Sequence, residues 1–320
     1  MLLKSSVVHT NELDELLRKL PGDLTSLRHD ATLKIWQQWH QQGSLLLGRV
    51  DAFSADGNRQ LCALGVTLWI TDEAVQALEQ GANQSCTHRI YHAAAQGLRW
   101  VMQTSDIEDA HKKSRLNLMV LHFWLATPVT DPAFQSVFLH TSALFKELHQ
   151  GFGVQRLVQE VVSQHVPFLE AGGMHVVHQS RQKNANEMPH ELAWMQIRAL
   201  DAQAHQGSTF SFLFFSPQNR LKLKPVSQRM LLLALRQLTD EDIAGTLGCT
   251  RDYVRKIWTD VYLCLEDAGT IDKVETTTDH SESTNSANPK RGRERRRAAL
   301  EFLRANPHEL RPGLPTKLRV

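Results

Sequence analysis

Apolar residues recur at helical spacing over Asn11 to Leu20 and over Asp23 to Gln42, the second stretch carrying Leu27, Ile35, Trp36 and Trp39. The pattern then changes. Ser44–Phe53 and Gln60–Ile70 read as two strands around the polar turn 54–58, which predicts a hairpin. Thr71-Asp72-Glu73 opens a helix through Leu78. Leu116–Leu125 is a nearly continuous apolar run, as a buried central strand requires. Ala133–His149 and Val154–Leu169 show helical spacing, and Met174–His178 and Phe210–Phe215 read as late strands. Together these predict an α/β or α+β domain over residues 1–216, with strand order open.

Beyond the turn-rich 216–219 the pattern becomes helical throughout. Pro225 suits a first turn and starts a helix through Met230, Leu231, Ala234 and Leu235. Thr239 with Asp242 three residues on has the form of a capping box, opening a short helix, Asp240–Leu247, with Ile243, Ala244 and Leu247 on one face. Gly248 makes a tight turn, and Thr250 caps a third helix from Arg251 to about Glu266. Helix, four-residue turn, helix is the helix-turn-helix arrangement. Val254 falls on its buried side, while Arg251, Asp252, Arg255, Lys256 and Thr259 fall on the outer face, where arginine and lysine can donate to guanine edges and phosphates. A plain helical hairpin that contacts protein is the competing reading.

Composition changes this picture only when divided. The 320 residues carry a formal net charge of +2. Residues 1–220 hold −2, residues 221–266 hold +1, residues 267–286 hold −4 and residues 287–320 hold +7. The stretch 275–289 has almost no apolar side chain and reads as a flexible linker within 269–289. After it, Arg291, Arg293, Arg295, Arg296 and Arg297 lead into a short helix with Leu300 and Leu303, which Pro307 stops. Residues 290–320 are therefore expected to form a basic helical tail. If about four of its arginines met phosphates, binding would fall with salt at a log–log slope of roughly −3.6. No apolar run is long enough to cross a membrane, and the charged start lacks a signal core, which predicts a cytoplasmic protein without membrane contact.

Catalytic signatures are sparse. The chain has no G-x-S-x-G elbow, Walker loop or G-x-G-x-x-G. Gly151-Phe152-Gly153 stands before the helix expected at Val154 and could cradle phosphate or simply cap it. His88 and His92 share a helix face, but no Glu follows in the H-E-x-x-H manner, while His175 and His178 on a strand would face oppositely. The four cysteines form no C-x-x-C pair, so neither a metal nor a cofactor is implied. The seven tryptophans suit a core better than a ligand pocket. The strand 116–125, the helices after it and the segment 170–174 faintly resemble the latter half of an acetyltransferase-like fold, without that family's phosphate-binding loop.

The segment from Leu223 to Leu265 resembles the LuxR/GerE-type helix-turn-helix. Leu231, Leu238, Ile243, Ala244, Leu247, Gly248, Val254, Tyr262 and Leu265 match its pattern. Thr250 replaces the usual Ser, Asp242 the usual Glu and Arg255 the usual Lys, while Gln237, Tyr253 and Ile257 depart from it. Sigma-factor region 4 has a similar helix pattern. The resemblance implies an all-α DNA-binding domain over 217–268 in a transcriptional regulator that is not an enzyme. Its partner would be double-stranded DNA, met through Thr239, Thr250, Arg251, Tyr253, Arg255, Lys256 and Thr259 and by Arg295, Arg296 and Arg297 of the tail. One short recognition helix reads few base pairs, so a homodimer is expected, with residues 1–216 sensing a small-molecule effector or dimerising. An acyltransferase-like enzyme with an appended helix-turn-helix is the alternative.

Overall fold

A computed structural model describes residues 2–20, 27–80, 85–128, 130–182, 190–204, 207–214, 219–270 and 289–313. The chain divides into two compact units, Met1–Ser216 and Pro217–Val320. In the first unit the elements run β1 (Leu2–Val7), α1 (Leu13–Lys19), α2 (His29–Gln41), β2 (Leu45–Phe53), β3 (Arg59–Ile70), α3 (Asp72–Gln80), α4 (Cys86–Ala95), α5 (Thr104–Lys112), β4 (Leu116–Leu125), α6 (Phe134–His149), β5 (Val154–Val162), α7 (Val166–Ala171), β6 (His175–Gln182), β7 (His190–Arg198) and α8 (Ala199–Ala204). The strands form one mixed sheet in the order β1-β2-β3-β4-β5-β7-β6. Among the described residues only β4 and β5 pair in parallel; every other neighbouring pair is antiparallel.

The β2–β3 hairpin forms around residues 54–58, with Gly57 at φ 83°. Helices α1 to α4 cover one face of the sheet, where Leu16, Trp36, Leu64, Leu68, Val75, Ile90, Tyr91 and Val158 share a core. Helix α6 lies on the opposite face over β1, β2 and β3, with Val137 against Val50, Ala52 and Ala63. Trp36, Trp39, Trp69 and Trp194 are buried here. A groove of about 180 Å³ beside Trp39 and Trp100 is smaller than an ordinary small-molecule site.

Two expected elements are corrected. Val154–Leu169 is not one helix but β5 followed by a turn and the short α7. Val154, Leu157, Val158 and Val161 are buried at helical spacing, while Gln155, Arg156, Gln159 and Glu160 are half-buried, so this inner strand lacks period-two alternation. Phe210–Phe214, the described part of the strand expected at Phe210–Phe215, is not a strand: Ser211–Leu213 is a 3₁₀ turn, and Phe210 packs close to Gly172 and against Phe145. Strands β1 and β7 carried no recognised signal.

The second unit is helical: α9 (Pro225–Leu235), α10 (Asp240–Leu247), α11 (Arg251–Asp267) and α12 (Pro289–Ala305), then a 3₁₀ turn at Pro307–Leu310. Thr239 Oγ1 accepts from Asp242 N at 3.2 Å while Asp242 receives Thr239 N, the reciprocal cap. Gly248 ends α10 in the left-handed conformation at φ 68°, which only glycine adopts freely. Thr250 Oγ1 then accepts Tyr253 N to start α11. Met230, Leu231, Ile243, Val254, Val261 and Leu265 form the core.

The basic end is not a tail. Ala299, Leu303 and Leu310 are buried in the same core as Ile243 and Val254. Buried Glu309 accepts the backbone N–H groups of Arg220 and Leu221, both at 2.9 Å, and Gln228 Nε2 donates to Arg311 O at 2.8 Å. The sequence hid this because the apolar stripe of α12 is only two or three residues wide among six arginines. Most of the acidic spacer lies outside the described residues.

Candidate functional site

In the first unit the sheet opens at its parallel pair. β4 and β5 are bonded from Leu116–Val154 to Val120–Gln159; beyond that, Leu121–Leu125 and Glu160–Val162 continue without pairing to each other. Between Val66 and Thr67 the β3–β4 register shifts, leaving Leu121 as an extra residue that bulges β4 at the start of the opening. The chain leaves β4 for α6, over β1–β3, and leaves β5 for α7, beside β6. Connections that part in opposite directions from adjacent parallel strands make a crevice at their carboxyl ends, the usual ligand position in open α/β sheets.

Aromatic rings line this end of the sheet. Phe134 stacks on Phe138 at 5.9 Å, and Phe138 meets the edge of Phe168 of α7 at 5.4 Å, bridging the two departing connections. Phe168 is 55% exposed and Phe123, on the stretch of β4 that has parted from β5 but still pairs with β3, is 45% exposed.

On the other face α4 closes the opening. Thr87 Oγ1 donates to the carbonyl of bulged Leu121 at 3.3 Å. Glu160, on the stretch of β5 that has parted from β4 but still pairs with β7, accepts from Ser85 Oγ at 2.5 Å and from Cys86 N at 2.8 Å, so its carboxylate caps α4. Trp36 Nε1–H donates to the Tyr91 hydroxyl at 2.8 Å. The same hydroxyl lies 2.7 Å from His122 Nε2, so Tyr91 joins the indole and the imidazole in one buried hydrogen-bonded chain. Burial holds His122 down at about 3, with the neighbouring His88 adding to the effect. Burial pushes Tyr91 well up, against the opposing effect of the Trp36 bond, and pushes the Cys86 thiol up, with the Glu160 carboxylate adding to it. None of these groups is poised to take a proton near neutrality. His178 stacks on Trp194 in the next strands, and burial lowers its affinity for a proton.

The seat for an acyl-carrier nucleotide is poor. The segment 126–133 between β4 and α6 has no glycine and contains Pro128 and Pro132, which offer no N–H. The carboxylate of Asp131 itself accepts Ala133 N at 2.7 Å at the start of α6. A phosphate there would meet a fixed negative charge instead of free amides. The other anticipated cradle fails as well, since Gly151-Phe152-Gly153 precedes a strand, and Gly153 N donates to His111 Nδ1 at 3.0 Å. No cluster of three metal-ligating side chains occurs among the described residues, and His88, His92, His175 and His178 join none.

In the second unit the side chains expected on the outside of α11 are there. Arg251, Tyr253, Arg255, Lys256 and Thr259 are exposed, as are the caps Thr239 and Thr250. Arg255 is engaged with Asp252 at 3.1 Å in a solvent-exposed pair, whose contribution to stability is small. The three arginines expected to meet phosphates from the tail are placed differently. Arg295 stacks over Tyr262 and pairs with Glu266; Arg296 stacks over Trp258 at 4.5 Å and pairs with Asp240 at 2.9 Å; Arg297 pairs with Glu301 at 2.8 Å. Arg295 and Arg296 thus fix α12 to α10 and α11. They were misplaced because sequence shows the cations but not the two aromatic faces that receive them.

No family model matches the chain, and no curated protein matches it. Solved structures similar to it include mutant forms of the spermidine/spermine N-acetyltransferase of Vibrio cholerae, at 9% identity and a TM-score of 0.36, over 64% of this chain and 99% of that one. Another is an acetyltransferase of the GNAT family from Streptococcus pneumoniae, at 10% identity and a TM-score of 0.31, over 61% of this chain and 98% of that one. These findings correct two expectations. Against the expectation of a non-enzymatic LuxR-type transcription regulator, these solved structures are acetyltransferases.

Proposed function

We propose that residues 1–216 form an acyltransferase-type unit that seats an acyl group in the crevice between β4 and β5. The divergence of this parallel pair beyond Val120 and Gln159 carries the reading, with the Phe134–Phe138–Phe168 row as the apolar wall. His122 near 3 is too weak a base to help at neutral pH, and Glu160 is committed to α4, so transfer would rest on holding donor and acceptor together. The donor would be held by its acyl and pantetheine arm, since 126–133 offers its nucleotide no seat. Thermal shift of the full chain tests this, using acetyl-CoA and the nucleotide-free S-acetyl-pantetheine, with mass spectrometry of amine acceptors as the readout of transfer. Both donors are expected to raise Tm, with affinities within about threefold of each other. No shift with either donor overturns the reading, and binding of acetyl-CoA alone overturns the assignment of the arm.

A second reading concerns the helical unit and comes from the caps at Thr239 and Thr250, which leave Arg251, Tyr253, Arg255, Lys256 and Thr259 on one exposed face. We infer that this face meets double-stranded DNA, α11 entering the major groove. Arg255→Ala with Lys256→Ala in the full chain should weaken retention of labelled duplex at low salt while leaving Tm nearly unchanged. Undiminished binding would exclude this face.

A further inference from the structure

Arg296, Leu300 and Arg304 stand four residues apart on α12 and therefore share one stripe of that helix. This stripe faces a cleft of about 640 Å³, whose other walls are Ala234 from the end of α9, Leu238 from the turn after it, Thr239, Asp240 and Glu241 from the start of α10, and Arg251 from the start of α11. Three arginines converge there against two acids, Asp240 and Glu241. Their states differ. Arg296 is held by Trp258 and by Asp240, which also receives Trp258 Nε1 at 3.4 Å. Arg251 and Arg304 are exposed and have no ion-pair partner among the described residues.

We propose that this cleft holds a backbone phosphate of a DNA duplex lying on α11, with Arg251 and Arg304 as its cations and Asp240 as the group that competes for Arg296. The proposal rests on the DNA reading of α11 and extends it to a residue outside the helix-turn-helix. Arg251 belongs both to the cleft and to the outer face that carries Arg255 and Lys256, so a strand leaving the groove at the start of α11 passes directly into the cleft. Guanidinium groups suit a phosphodiester because their fork donates to two oxygens at once. The apolar floor, Ala234, Leu238 and Leu300, lowers the local dielectric without donating or accepting anything. A phosphate contact positions the duplex and carries no sequence information, so the cleft acts equally on all sequences.

The test is duplex binding by the full chain between 0.05 and 0.3 M salt, comparing wild type, Arg304→Ala and Asp240→Asn. Arg304→Ala should reduce the magnitude of the log–log salt slope by about 0.9 and weaken binding roughly eightfold at 0.1 M salt, the share of one phosphate contact. The loss should be the same for unrelated duplex sequences, with Tm unchanged because Arg304 is exposed. Asp240→Asn keeps the acceptor for Trp258, releases Arg296 and should tighten binding. An unchanged slope and affinity in Arg304→Ala, with wild type still binding, overturns the cleft while leaving the α11 reading intact. No duplex binding by wild type at 0.05 M salt overturns both.

Discussion

Arg49 and Arg304 show how differently the two units treat a cation. Arg49, in β2, is fully buried, 2.6 Å from Asp51 and 3.4 Å from Glu12, and Arg59 joins Asp51 at 2.9 Å from the next strand. Arg304, in α12, is exposed at the edge of an open cleft. The same contrast runs through the other polar groups. In the first unit Tyr91 joins Trp36 and His122, and Glu160 holds Ser85 and Cys86 N, so these polar groups bond inward around the opening of the sheet. In the second unit buried Glu309 and Gln228 hold backbone groups and two stacked arginines fasten α12, while the face of α11 is left to solvent. Inward polar groups raise the cost of disruption; outward ones govern what can be approached.

The largest expected effect tests the buried side of this contrast. Asp51→Ala strands Arg49 in the interior and should cost about 3–5 kcal/mol in chemical denaturation of the full chain. A loss under 1 kcal/mol would mean that Glu12 alone satisfies the guanidinium. Next comes Leu303→Ala, expected to cost about 3 kcal/mol because Leu303 is fully buried in the helical core. A free tail would give no change.

Acid should separate the units further. The folded pKa of His122, about 3, lies below its unfolded value near 6.5, so the folded state binds fewer protons through that window. The stabilisation is fully present above about pH 6.5 and is lost as pH falls towards 3, by up to about 1.4 kcal/mol per pH unit. His122→Gln should flatten the dependence between pH 6.5 and 5, measured by denaturation at each pH. The smallest effect belongs to the caps. Thr239→Ala and Thr250→Ala should each cost about 1 kcal/mol, read as a lowered Tm of the helical unit, whereas Thr→Ser at either position should cost less.

Legibility followed the range of the forces. The three helices from Pro225 to Asp267 were readable because Pro225, Thr239, Gly248 and Thr250 act within four residues of themselves. The hairpin β2–β3 and the buried β4 were readable from alternation and from an apolar run. Strand β5 was misread as a helix because its buried positions, Val154, Leu157, Val158 and Val161, fall at helical spacing, and β7 went unseen because 193–197 are buried on both faces and do not alternate. No residue in 116–125 or 154–162 announces that these strands are parallel and then part; that depends on where α6 and α7 carry the chain. The bulge at Leu121 and its bond to Thr87 join positions 34 residues apart.

By itself the sequence determined the local starts and stops, the exposed cations of α11 and the missing glycine loop after β4, since each depends on side chains close along the chain. The tertiary structure decided that β4 and β5 diverge, that α4 covers one face of that opening, and that Arg295 and Arg296 are internal fastenings while Arg304 faces a cleft. Those outcomes rest on packing between segments far apart in sequence, where burial and aromatic faces, rather than local propensity, set each charge in its place.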